Sequence, residues 1–281
     1  MEKPQFAETV KVYFIEPIRS ISVVMDVLIK LNFEVYSVPE EEAARLTVLL
    51  ERHPRNVLYI CLLAENAAGR WLAYIDAVTK KRPDETQFGV FVSSIINPGT
   101  RQAFLTRGVA TIDLTLLQSN AVETLKKILL YFEAREKRKF VRARAFGVCQ
   151  VFFKLKNLVN PIKGEIVELS IHAFSCTVAP DDKVFFSSGS YIPEVTLLLR
   201  GKRIKMAARF MGFDQADPNR AVLLICHPKV VNNQLEYHQQ LPPEARKAVY
   251  DFILSALKED IKRQLAEIEE KPKVLDTPEL L

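Results

Sequence analysis

The sequence predicts an α/β domain with a doubly wound parallel sheet, followed by a six-stranded antiparallel β-barrel and a long helix. Three observations carry this reading. Up to about residue 135, short apolar runs alternate with helical ones, and from there to about residue 241 strand-like runs follow one another without a helix. Between the halves lies the densest basic cluster of the chain: Arg135, Lys137, Arg138, Lys139, Arg142 and Arg144 fall within ten residues, against Glu136 alone. A chain of 281 residues is long enough for two cores. The expected division is 1–135, 136–240 with the basic stretch at its start, and 241–281 as helix and tail.

In the first half, Val10–Ile15 is an apolar strand closed at Glu16-Pro17, and Ser20–Leu31 is a helix with Ile21, Val24, Leu28 and Leu31 on one side. Phe33–Val38 alternates as a strand, Pro39 opens a helix through Glu40–Glu51, and Val57–Leu63 is an apolar strand. Gly69–Lys80 is helical, with Trp71, Leu72, Ile75 and Val78 aligned. Phe88–Ile96 and Val109–Leu114 are strands, and Pro98–Thr106 and Ala121–Ala134 are helices. Continuously apolar strands between helices imply a parallel sheet covered on both faces, in the flavodoxin-like order.

The second half reads as Phe146–Lys156, Lys163–Ile171, Ala173–Val178, Glu194–Arg200, Arg203–Phe213 and Ala221–Cys226, the last strand. Pro180-Asp181-Asp182 marks a turn and Gly201-Lys202 a hairpin. Closing these strands into a barrel leaves few exposed edges. Pro242-Pro243 opens a helix to about Glu270, with Val249, Phe252, Ile253, Leu257, Ile261 and Leu265 at three-four spacing. Its first part is expected to pack on the barrel or between the domains. Its second part could pair with another copy of the chain, giving a homodimer.

Composition narrows the function. Hydrophobic residues are 48%, charged residues 26% and the net charge is +5, ordinary for a soluble protein and weak as a nucleic-acid signal. Cys61, Cys149, Cys176 and Cys226 stand far apart without histidines at ligand spacing, so they read as buried apolar residues rather than zinc ligands or disulfides. No leader is expected at the N-terminus and no run reaches the roughly 18–20 apolar residues of a spanning helix, so the expected location is the cytoplasm. His53, His172, His227 and His238 have no partners at triad or metal spacing, no Gly-x-Gly-x-x-Gly follows the first strand, and an enzyme is not expected.

The first half is similar to the receiver domains of bacterial response regulators, but it lacks their chemistry. The third strand runs Ile60-Cys61-Leu62-Leu63 with no phosphoacceptor aspartate, and the first ends in Glu16-Pro17 without an acid pair. Ser93 and Ser94 match the hydroxyl position, whereas the fifth strand ends Asp113-Leu114-Thr115 without a lysine. Such a domain is not phosphorylated and serves as a scaffold or docking surface.

The second half resembles the PilZ family of cyclic di-GMP receptors, over roughly residues 136 to 228. Arg138-Lys139-Phe140-Val141-Arg142 matches the family's RxxxR, with Lys137 as a further basic residue. Glu168-Leu169-Ser170-Ile171-His172-Ala173 falls where the family has [D/N]xSxxG, keeping the serine but replacing the acid or amide with Glu168 and the glycine with Ala173. Arginine suits such a ligand, because its planar fork binds phosphate, pairs with guanine O6 and N7 and lies flat on a purine. The resemblance implies ligand binding by Lys137, Arg138, Arg142, Glu168 and Ser170, with no cofactor. It also implies that cyclic di-GMP clamps the basic linker onto the barrel and reorients the domains. Glu168 carries an extra methylene, and Ala173 adds a Cβ where positive φ or close approach is needed. Two readings follow: a cyclic di-GMP receptor, or a degenerate adaptor that binds a protein partner without nucleotide.

Overall fold

The computed structural model describes residues 10–53, 55–81, 86–92, 96–115, 120–131, 140–155, 158–231 and 234–268. Contacts group the chain into two units, Met1–Lys139 with Asp260–Leu281, and Phe140–Glu259.

In the first unit, β1 (Lys11–Ile15), β2 (Val35–Val38), β3 (Asn56–Leu62), β4 (Thr86–Val92) and β5 (Ala110–Asp113) form one sheet. They alternate with α1 (Arg19–Lys30), α2 (Ala43–Leu50), α3 (Ala68–Lys81), α4 (Pro98–Leu105) and α5 (Ala121–Tyr131). All pairings are parallel, and the strand order is β2-β1-β3-β4-β5, the flavodoxin-like order. Every residue of β3 is buried, as a central strand covered on both faces requires. The helix expected over Glu40–Glu51 starts instead as a 3-10 turn, Glu40–Glu42, before α2 proper. Asn97 caps α4 by accepting from Thr100 N at 2.8 Å, with Pro98 preset at the first helical position. Residues 93–95 and 132–139, which hold Ser93, Ser94, Arg135, Lys137, Arg138 and the end of the expected fifth helix, lie outside the described residues.

The core of this sheet is aromatic. The rings of Phe14 and Tyr59 stack at 4.9 Å, and Phe91 lies 5.2 Å from Tyr59. Gly89, across the ladder from Tyr59, makes room for that ring: a Cβ there would meet Tyr59 Cε1 at 2.6 Å.

In the second unit, β7 (Cys149–Lys154), β8 (Ile162–Leu169), β9 (Ala173–Val178), β10 (Tyr191–Leu199), β11 (Lys202–Phe213) and β12 (Arg220–Val231) pair in the order β11-β10-β7-β8-β9-β12. A β11–β12 pairing closes the six strands into a barrel. The short β6 (Ala143–Arg144) adds to β8. Inside, the ring of Phe186 meets Phe153 at 5.1 Å and Phe210 at 5.4 Å.

Two features differ from the sequence expectation. Residues Pro180–Phe185 form a 3-10 helix rather than a single turn. The last barrel strand does not stop at Cys226: β12 runs to Val231 and folds back on β13 (Gln234–His238). Pro228 hides this continuation in the sequence, because proline cannot donate to a ladder. It is tolerated here because β12 pairs with β9 and β11 only up to Cys226, leaving β13 as its sole partner beyond.

All four cysteines are buried and unbridged. Burial pushes the thiol of Cys61 up to about 11 and that of Cys176 up to about 12, which keeps both protonated and unreactive.

Arg200 and Gly201 connect β10 to β11, and both have positive φ, 49° and 90°, as a two-residue type I′ turn requires. For a non-glycine residue the left-handed region costs about 1–2 kcal/mol. The Arg200 side chain offsets this cost. It donates to Phe146 O at 3.2 Å, to Ser255 Oγ at 2.7 Å and to Glu259 Oε2 at 2.5 Å, and its guanidinium lies over the Phe252 ring. Ser255, Phe252 and Glu259 belong to α6 (Pro243–Ala266), so the hairpin tip fastens the first part of that helix to the barrel. By contacts, α6 groups with the barrel up to Glu259 and with the first unit from Asp260.

Two stability predictions follow from this packing. Arg200→Ala loses the α6 anchor but keeps the strained turn, and is expected to cost about 1–3 kcal/mol in chemical denaturation; Arg200→Gly, which relieves the turn, should cost less. Gly89→Ala should cost about 1–3 kcal/mol by driving Tyr59 from its place, and Tyr59→Leu in the same chain should recover part of that loss.

Candidate functional site

Alternation along the chain entering the barrel sets up the site. Val141 and Ala143 are buried, 4% and 1% exposed, so Arg142 and Arg144 point away from the core on the same side. Phe140 fixes the approach of this stretch: its ring stacks on His172 with centroids 3.7 Å apart. Ala143 then pairs with Leu169 and Arg144 with Glu168, which brings the basic stretch alongside the end of β8.

Glu168 faces outward because β8 carries a bulge. Ile166 pairs with Cys176 but Glu168 with Ser175, so Val167 is an extra residue in the ladder. Strict alternation from buried Ile166 would have turned residue 168 inward; the extra residue re-aims it. The Glu168 Oε2 atom then accepts from Arg220 Nη2 at 2.8 Å and lies 3.9 Å from Arg142 Nη1. Arg220 Nε donates to Ser175 Oγ at 3.0 Å, which holds the guanidinium in place. The longer glutamate therefore reaches a cation from β12.

Ser170 sits in the tight turn between β8 and β9 and is 3% exposed. Its Oγ accepts from Ala173 N at 3.0 Å and donates to Ala173 O at 3.0 Å, while Ser170 N donates to the same carbonyl at 2.8 Å. The hydroxyl thus holds the turn that presents Glu168 and His172. Ala173 does not adopt a positive φ, so the backbone reason for a glycine there falls away and only close approach remains.

Of the residues singled out from the sequence, Arg142, Glu168 and Ser170 come together at one end of β8. Lys137 and Arg138 lie outside the described residues. Sequence reasoning missed Arg220, which follows an Asp217-Pro218-Asn219 turn some fifty positions away and carries no motif signal. Arg144 was legible as the next outward position in Val141-Arg142-Ala143-Arg144.

The strand ends of the first unit offer different chemistry. Just beyond β3, Leu63 is 56% exposed, and the strand end carries no carboxylate. The Asp113 carboxylate accepts from Thr115 N and Oγ1 and from Arg101, and the Thr115 bonds lead in holding it below the usual carboxylate range. A cavity of about 520 Å³ lies at the ends of β1 and β2, lined by Glu16, Glu40, Glu41, Arg70, Trp71 and Tyr74. Three carboxylates against one guanidinium make it a poor place for a phosphate. Among the described residues no group of His, Cys, Asp and Glu side chains could hold a metal ion, and no helix is long and apolar enough to cross a membrane.

Ser170→Ala removes the hydroxyl bonds with Ala173 O, Ala173 N and His172 N from a buried turn. It is expected to cost about 1–2 kcal/mol of stability, measured by denaturant unfolding, whereas Ser170→Thr should retain most of it.

No family model and no curated protein matches this chain. Among solved structures it is similar to YcgR from Escherichia coli in complex with c-di-GMP, at 13% identity over 47% of this chain and 50% of that one, with a TM-score of 0.34. It is also similar to the PilZ domain of YcgR with c-di-GMP, at 12% identity over 48% of this chain and all of that one, TM-score 0.34. A third is the K. pneumonia MrkH–c-di-GMP complex, at 12% identity over 46% of this chain and 56% of that one, TM-score 0.34. The chain thus spans about half the length of YcgR and MrkH.

Proposed function

We propose that this chain is a cyclic di-GMP receptor, binding the dinucleotide on the outer face of the barrel where β6 lies along β8. The observation that carries this reading is the meeting of Arg142 and Arg220, from two distant parts of the sequence, at the carboxylate of Glu168, with Arg144 across the ladder on the same face. Three guanidiniums and one carboxylate leave two positive charges, which matches the two phosphates of the ligand. Arg142 is half exposed and so available to phosphate, guanine edge or purine face. Lys137 and Arg138 extend the same basic stretch and are assigned to the ligand with it. The receiver-like first unit, lacking its phosphoacceptor, is assigned as the part whose orientation the ligand changes when the linker is clamped. The Ser170 turn and Glu168 form the floor of the site from the barrel side.

One observation favours an adaptor that binds a protein partner without nucleotide: the Ser170 hydroxyl and the Glu168 carboxylate, both assigned to the ligand, already have partners within the chain. Calorimetric titration of the full chain with cyclic di-GMP separates the two. Receptor function predicts micromolar or tighter binding that weakens with salt and falls at least about tenfold in Arg142→Ala. Absence of binding at high ligand concentration removes the receptor reading and leaves the adaptor.

A further inference from the structure

Glu168 and Arg220 together do something that neither motif assigns. Arg220 comes from β12, outside both motifs, yet its guanidinium makes the shortest contact to the Glu168 carboxylate at this face, 2.8 Å. Its Nε is tied to the hydroxyl of Ser175, a residue 6% exposed, so the fork is anchored from behind and its outer edge faces the carboxylate. Arg142 approaches the same Oε2 atom from the entering chain, and Arg144 stands directly across the β6–β8 ladder from Glu168. In an antiparallel pair, residues directly opposite share one face. One carboxylate oxygen therefore lies between the guanidiniums of Arg142 and Arg220, with Arg144 on the same face of the ladder.

We infer that Glu168 is an internal counterion holding the place of a ligand phosphate between Arg142 and Arg220, and that Arg220 is a further ligand-binding arginine of this face. This inference rests on the receptor reading for the identity of the ligand. It assigns to Glu168 a role opposite in sign to that implied by the motif. A carboxylate reading guanine N–H groups would strengthen binding, whereas a carboxylate lying in the phosphate position must give up its arginines before the ligand can take them. The bulge at Val167 supports this assignment, since it sends the carboxylate outward into the arginines. The extra methylene of glutamate gives the reach to Arg220. Bidentate exchange is natural for arginine, whose fork fits carboxylate and phosphate alike.

The test is the sign of the change in Glu168→Gln, which keeps shape and removes charge. Calorimetry of the full-length chain at fixed moderate salt is expected to show cyclic di-GMP binding about three- to tenfold tighter in Glu168→Gln than in the parent. Arg220→Ala should bind about tenfold more weakly, with Arg220→Lys between them and thermal unfolding used to confirm that each variant is folded. Weaker or unchanged binding in Glu168→Gln overturns the counterion role, and unaltered binding in folded Arg220→Ala overturns the assignment of Arg220. If neither parent nor variant binds cyclic di-GMP, the receptor reading fails, and inorganic pyrophosphate becomes the probe. Tighter pyrophosphate binding in Glu168→Gln than in the parent then sustains the exchange at the arginines, and equal or absent binding overturns it.

Discussion

The bulge at Val167 shifts β8 against β9 by one residue, and in a strand such a shift exchanges the two faces. Everything at the outer face of the barrel depends on that exchange. Without it, Glu168 would turn toward the core, where a carboxylate is expensive to bury, and Arg220 and Arg142 would face each other without an intervening anion. With it, the carboxylate lies among the guanidiniums, and the residues on either side stay in register. Leu169 remains buried opposite Ala143, and Ser170 closes the turn. A single backbone irregularity thus reconciles an intact apolar core with a charged exterior.

The sequence made the two folds legible through periodicity. Continuous apolar strands such as Asn56–Leu62 announced a sheet buried on both faces, and the run of strands after residue 140 announced the barrel. Where periodicity is interrupted, legibility fails for physical reasons. Pro228 breaks the strand signal of β12, although the backbone there needs only one ladder partner. Three glutamates after Pro39 read as helix, yet they form a 3-10 turn before α2. The extra residue at Val167 has no signature, because Val-Glu-Leu is ordinary strand composition. The site was readable on its basic side, where Arg142 and Arg144 alternate with buried Val141 and Ala143. It was unreadable on its β12 side, because Arg220 meets Glu168 only through the closure of the barrel.

The two units also divide electrostatically. At the strand ends of the first, Glu16, Glu40 and Glu41 line the cavity and Asp113 is already satisfied by Thr115 and Arg101. The end of β3 presents Leu62 and Leu63 and no carboxylate. On the outer face of the barrel, by contrast, arginines outnumber carboxylates around Glu168.

The ion pairs of this face are open to solvent. Glu168, Arg142 and Arg220 are all partly exposed, so water and salt compete for each of them, and no single pair holds the arrangement rigidly. What is rigid lies beneath: Ser175 and the Ser170 turn are buried, and Val141 and Ala143 pin the entering chain to the barrel wall. Arg142 is held by the strand it stands on, and Arg220 also at its guanidinium by Ser175. The ring of Phe140 on His172 fixes where the stretch that carries Arg142 and Arg144 meets the barrel.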